Sequence, residues 1–124
     1  MHFDPREQAA LRAVGLDDDE LRTASELVGD AVEDAAADLA DFFDGGGTYH
    51  SDMDTAHGDG GVREHDVDHL DVYTHSADLR GYLKFERWGV PVQDGRVLNE
   101  ECVELTLGDT VDDRVRFARD PEAL

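Results

Sequence analysis

The chain is short of cysteine and of long apolar stretches, and each of these shortages excludes a class of protein. Its only cysteine, Cys102, cannot form an internal disulfide framework or a cysteine-rich zinc site. No segment is long and apolar enough to predict a membrane-spanning helix. The first residues also lack the basic start and the apolar run of a secretory signal. We therefore predict a cytoplasmic protein that has no membrane partner.

Negative charge dominates the composition. The chain has 11 basic and 31 acidic residues, which give a formal net charge of −20, and only one basic residue, Lys84, is lysine. Phosphate recognition needs a basic surface, so this charge argues against nucleic acid as a partner. The acids are spread along the whole chain, which favours adaptation to molar salt, where charges are screened over about 3 Å. An acidic surface for a basic protein partner is the alternative.

Three arginines near the C-terminus are a local exception to this charge. Asp residues stand directly beside them in the sequence, so we expect these arginines to be ion-paired with their neighbours. The arginines are Arg114, Arg116 and Arg119, and the acids are Asp112, Asp113 and Asp120.

The first helix is predicted from its two ends. Asp4 is a good N-cap, and Pro5 fits the first helical position. Gly15 is a natural stop. The helix therefore covers about residues 5–14.

A second, longer helix follows and ends at a run of three glycines, residues 45–47. Its apolar residues recur in steps of three and four, which defines one continuous stripe. The stripe consists of Leu21, Ala24, Val28, Ala31, Ala35, Leu39 and Phe42. Two interpretations stay open: the stripe packs on a sheet of the same chain, or residues 21–43 form the seam of a homodimer.

Alternating apolar and polar residues predict strands from about residue 69 onward. An Asp94-Gly95 pair predicts a hairpin turn among them. The fold class is therefore α+β, with two N-terminal helices packed on a C-terminal antiparallel meander of four or five strands. We predict a single domain, residues 1–124, with a helical part over 5–43, a loop rich in His, Asp and Gly over 44–66, and the meander over 69–118.

Histidines are concentrated in one short window. Five of the six fall between residues 50 and 75, interleaved with acids, and such a set suits a divalent transition metal. The candidate ligands are His50, His57, His65, His69 and His75. His65 and His69 would share a metal on a helix, whereas on a strand they would stand about 13 Å apart. Solvated surface imidazoles paired with Asp are the alternative.

No known catalytic motif is complete. His65 and His69 have the spacing of the zinc-protease helix, but Asp66 stands where that motif needs Glu. Cys102 has acids beside it, which would raise its pKa, so we expect an inert thiol. Ser51 follows His50, and adjacent residues rarely form a catalytic pair.

Three segments of the meander are candidate signatures, together with the acidic stretch Ser51–Asp54. They are Leu79–Phe85, Trp88–Val92 and Val103–Gly108. With the composition, they resemble the small uncharacterised acidic proteins of haloarchaea. That resemblance implies a source and a compartment and no activity.

The long stripe and the absence of a catalytic motif favour a non-enzymatic protein–protein interaction domain adapted to high salt, which binds a second copy or another protein. The alternative is a divalent-metal protein or a metal-dependent hydrolase that uses the histidine cluster. In that case Glu64 or a nearby Asp is the candidate base that activates the metal-bound water.

Overall fold

The computed structural model describes residues 1–53, 62–108, 111 and 113–124. Two helices precede six strands, and a short 3-10 turn ends the chain. The helices are α1 (Pro5–Ala13) and α2 (Asp18–Phe42). The strands are β1 (Gly47–Ser51), β2 (Arg63–His75), β3 (Asp78–Phe85), β4 (Gly89–Asn99), β5 (Cys102–Leu107) and β6 (Asp113–Ala118), and the 3-10 turn covers Pro121–Ala123.

Both helices begin at an aspartate, and the two predicted helices are confirmed. Asp4 and Asp17 each accept a hydrogen bond from a backbone N–H three residues on, at 2.8 Å. The glutamate at that third position bonds back to the cap, which completes a capping box at each start. Gly15 has a φ of 107°, a conformation that glycine adopts without strain, so the chain can turn between the helices there.

The six strands are all antiparallel and close into a barrel. Each strand pairs with the next one, and β1 pairs with β6 through His50 opposite Ala118 and Ser51 opposite Phe117. The expected count of four or five strands is therefore wrong. Strand β1 lies in the predicted loop 44–66, and β2 begins at Arg63 instead of near residue 69. Both segments consist mostly of polar residues, so the alternation of inward and outward side chains does not show as an alternation of apolar and polar residues. Residues 54–61, in the same predicted loop, lie outside the described part.

The predicted hairpin turn at Asp94-Gly95 is also wrong. Strand β4 runs through both residues, with an irregular register between Val92 and Asp94, and the chain reverses after Asn99 instead. A Cβ on Gly95 would lie 2.8 Å from side-chain atoms of both Leu39 and Leu105. Glycine at this position therefore lets α2 approach the sheet closely.

The apolar stripe of α2 is part of the core of its own chain. Leu21, Leu39 and Phe42 are buried, and the helix packs on β2, β4 and β3. Leu27 points away from the sheet and is 63% exposed. For the buried residues the core interpretation is confirmed, while the homodimer stays a prediction.

The C-terminal end of α2 is fixed by aromatic and polar contacts. The ring of Phe43 lies 4.8 Å from that of Tyr49 and 5.8 Å from that of Phe117, measured between centroids. The hydroxyl of Tyr49 and the guanidinium of Arg119 both donate to the carbonyl of Phe42, at 2.8 Å. A cation at this end also interacts favourably with the helix dipole.

Among the described residues, no helix combines the length and the apolar character that crossing a membrane requires.

Replacing Leu39 with Ala tests the core assignment. Leu39 is fully buried beside Gly95, so we expect the free energy of unfolding to fall by about 2–5 kcal/mol. The matched control is Leu27→Ala on the exposed side of the same helix, which should change it by no more than about 0.5 kcal/mol. Denaturant unfolding followed by circular dichroism measures both. Equal losses in the two variants would contradict the assigned orientation of α2.

Candidate functional site

The structure separates the two histidines of the predicted metal pair. His65 is half-buried on the inner side of β2, with its ring 5.0 Å from that of Phe85. His69 is exposed on the outer side, 3.5 Å from Asp68 and 3.4 Å from Asp71. The register of β2 shifts between Val67 and His69, and such an irregularity reverses the side on which later residues point. From the sequence we expected a turn or short helix to end near His69; instead both histidines lie on β2, and the reversal was not predicted.

The structure describes two of the other three candidate ligands, His50 and His75. His50 is half-buried on β1 opposite Glu64, and His75 is exposed at the far end of β2. His57 lies outside the described residues. Across the part of the chain that the structure describes, no group of three or more His, Cys, Asp or Glu side chains could hold a metal ion. A metal site that includes His57 stays a prediction.

A buried serine bonds to His65 instead of to its neighbour in the sequence. The Oγ of Ser51 lies 2.6 Å from Nε2 of His65, and it also accepts a hydrogen bond from the backbone N–H of Met53. Ser51 is fully buried, so its hydroxyl is out of reach of a substrate. The pair therefore links β1 to β2 structurally. The sequence could not reveal it, because β1 itself was predicted as loop.

Burial shifts the pKa of two groups, the imidazole of His65 and the thiol of Cys102. It lowers the pKa of His65, and the charges of Arg63 and His50 lower it further. Burial likewise raises the pKa of the Cys102 thiol; Arg116 opposes the shift, and Asp52 and Glu104 add to it. A neutral imidazole and a protonated thiol are the favoured forms, which supports the inert thiol expected from the sequence.

The outward side of β2 and β3 carries two exposed tyrosines. Tyr73 is 62% exposed and lies opposite Arg80, while Tyr82 is 42% exposed and lies opposite Asp71. The ring of Tyr82 covers Gly89, where there is no room for a side chain. We call this surface the tyrosine face and define it by His69, Asp71, Tyr73, Arg80, Tyr82 and Lys84.

Trp88 extends the exposed aromatic surface at the turn between β3 and β4. Its ring stacks on that of Phe85 at 4.5 Å between centroids, and 40% of the residue is exposed. The indole is thus neither core nor free of contacts. It lies at the rim of the core.

Charge is distributed unevenly between the two parts of the chain. Residues 1–77 carry twenty acids and four basic residues, whereas residues 78–124 carry eleven acids and seven basic residues. The tyrosine face lies at the boundary, because β2 belongs to the strongly acidic part and β3 to the less acidic part. Its two strands therefore differ in charge.

These observations define the class of protein: a small α+β domain with six antiparallel strands, covered by a long helix and carrying an exposed aromatic face. A family model matches residues 1–122, and its description is Family of unknown function (DUF7532). The chain therefore belongs to this family, which agrees with the expected uncharacterised family. No curated protein and no solved structure matches the chain.

The lowered pKa of His65 predicts a pH dependence of stability. The folded state holds the imidazole neutral, so stability is full above the unfolded pKa of about 6.5 and is lost as the pH falls below it. We expect the stability of His65→Gln to lack the part of this acid-induced loss that comes from protonation of the imidazole. Denaturant unfolding at constant KCl, from about pH 7.5 to about pH 5.5, measures the difference between variant and wild type.

His75→Gln, at the exposed end of the same strand, is the matched control for the loss of an imidazole. If the profile of His65→Gln runs parallel to that of the wild type over this range, His65 does not cause the loss.

Proposed function

We propose that this protein is a non-enzymatic protein–protein interaction domain, adapted to high salt, that binds a second copy of itself through the tyrosine face. The observation that carries the proposal is the pair of exposed tyrosines, Tyr73 and Tyr82, on the neighbouring strands β2 and β3. Tyrosine and arginine are enriched where proteins bind each other, and Arg80 lies directly opposite Tyr73.

The charges of the tyrosine face favour a second copy as the occupant. A two-fold interface must be complementary to itself, because the same surface is used by both partners. Strand β2 contributes Asp71 to this face, and β3 contributes Arg80 and Lys84. Two such faces packed with their strands antiparallel would bring the acid of one copy near the cations of the other.

High salt also favours an aromatic contact over an ionic one. Screening weakens ion pairs at the surface, while apolar burial does not depend on charge. The proposed interface is thus compatible with a net charge of −20.

The metal-dependent alternative has no comparable support. Its central pair, His65 and His69, points to opposite sides of β2, and the serine beside His65 is fully buried. We therefore place the interaction domain first.

Loss of both tyrosines tests the proposed self-association. We expect Tyr73→Ala/Tyr82→Ala to raise the dissociation constant of the dimer at least about tenfold, since two central aromatic contacts disappear. Sedimentation equilibrium in molar KCl measures the constant, and circular dichroism checks that the variant is folded.

The control for this experiment is Leu27→Ala, which removes an equally exposed apolar side chain from α2. It should leave the dissociation constant unchanged. A wild-type protein that stays monomeric at all accessible concentrations would overturn the proposal, and a dimer lost only in Leu27→Ala would move the interface to the helix.

Adaptation to high salt predicts stabilisation by KCl. Repulsion among the excess acids is strong at low ionic strength, so we expect the unfolding midpoint to rise between about 0.2 M and about 2 M KCl. Thermal unfolding measures the midpoint. Sorbitol at matched osmolality is the control for effects other than screening, and a midpoint that does not rise with KCl would contradict the adaptation.

A further inference from the structure

A cluster of arginines stands on the outward side of β4, β5 and β6, away from the tyrosine face. Arg96 pairs in register with Glu104, Glu104 with Arg116, and Thr106 with Arg114. The side chains surround a depression of about 230 Å³, which we call the arginine depression. It is lined by Asp94, Gly95, Arg96, Glu104, Thr106 and Arg114.

The carboxylate of Glu104 contacts two of these guanidinium groups, each at its Nε atom. One carboxylate oxygen of Glu104 accepts a hydrogen bond from Nε of Arg96 at 3.1 Å, and the other lies 3.8 Å from Nε of Arg116. Only 14% of the Glu104 side chain is exposed, so the carboxylate is held firmly between the strands. Within the described residues, the Nη groups of both arginines form no hydrogen bond, and both side chains are more than half exposed.

Arg114 contributes a third guanidinium. Its side chain forms no hydrogen bond or ion pair with any residue that the structure describes. The expected ion pair between Arg114 and Asp113 is therefore wrong, because Asp113 accepts a hydrogen bond from the backbone N–H of Arg114 instead. Arg116 is paired with Glu104 and not with an aspartate beside it in the sequence. Asp112 lies outside the described residues.

Two aspartates near the depression each accept a hydrogen bond from a backbone N–H. Asp94 accepts a hydrogen bond from the N–H of Gly95 at 2.8 Å, and Asp113 accepts one from Arg114 at the same distance. Each therefore has one oxygen directed at the main chain.

We propose that the arginine depression binds an oxyanion, a carboxylate or a phosphate, between Arg96 and Arg114. The planar guanidinium fork matches the two oxygens of either group, and the hydroxyl of Thr106 can donate a further hydrogen bond. Glu104 acts as a positioning residue, because it orients Arg96 through Nε and keeps its Nη ends directed outward. This inference is independent of the proposed self-association.

The test is a titration of the full-length chain with potassium phosphate and, separately, with potassium succinate. Amide shifts of Gly95, Thr106 and Arg114 in two-dimensional NMR report binding, at constant ionic strength and at the lowest KCl concentration that preserves the circular dichroism spectrum. We expect saturable shifts. Saturation with both anions indicates a general oxyanion site, and saturation with one alone identifies which chemistry the site selects.

Arg114→Gln should weaken binding at least about tenfold, because a charge-assisted hydrogen bond is lost. The matched control is Arg87→Gln, which removes the same charge from an exposed position at the β3–β4 turn and should change affinity by less than about twofold. Shifts that do not saturate, or equal weakening in both variants, would overturn the proposal. Repeating the titration in Tyr73→Ala/Tyr82→Ala separates this result from that of self-association.

Discussion

The contact between α2 and β4 is the constraint on which the rest of the structure depends. Leu39 reaches the sheet where Gly95 has no side chain, and Leu105 lies on the other side of the same gap. Because the helix comes so close, Leu39 and Phe42 of its apolar stripe are buried, and its acidic residues are left on the solvent side. The helix thus contributes to the core and also carries much of the negative surface.

One irregularity in β2 decides the chemistry of the histidines. A regular strand would place His65 and His69 on the same side, but the shift in register after Val67 puts one inside and the other outside. The inner imidazole becomes a partner of Ser51, and the outer one lies among carboxylates. For these two histidines, a sequence that resembles a metal site therefore folds into a structural hydrogen bond and an exposed polar contact.

The outer surface of the sheet has two different parts. The strands β2 and β3 present tyrosines with charges of both signs, whereas β4, β5 and β6 present arginines around one nearly buried glutamate. Solvated acids elsewhere maintain solubility through charge repulsion. The two parts thus offer contacts of different kinds, aromatic on one side and ionic on the other, and this difference is the basis of the two proposals.

Local signals in the sequence determined the helices: capping aspartates, a glycine stop and a stripe with helical period depend on near neighbours only. The alternating pattern of the later segments indicated the antiparallel α+β class, and the composition gives the net charge. The sequence did not determine the number of strands, because β1 and the start of β2 are polar and are held by pairing with distant strands. It predicted a turn at Gly95, since it could not show that Leu39 would occupy that space. Only the tertiary structure decided which histidine faces Ser51 and where Arg114 lies, because long-range register sets which side chains meet.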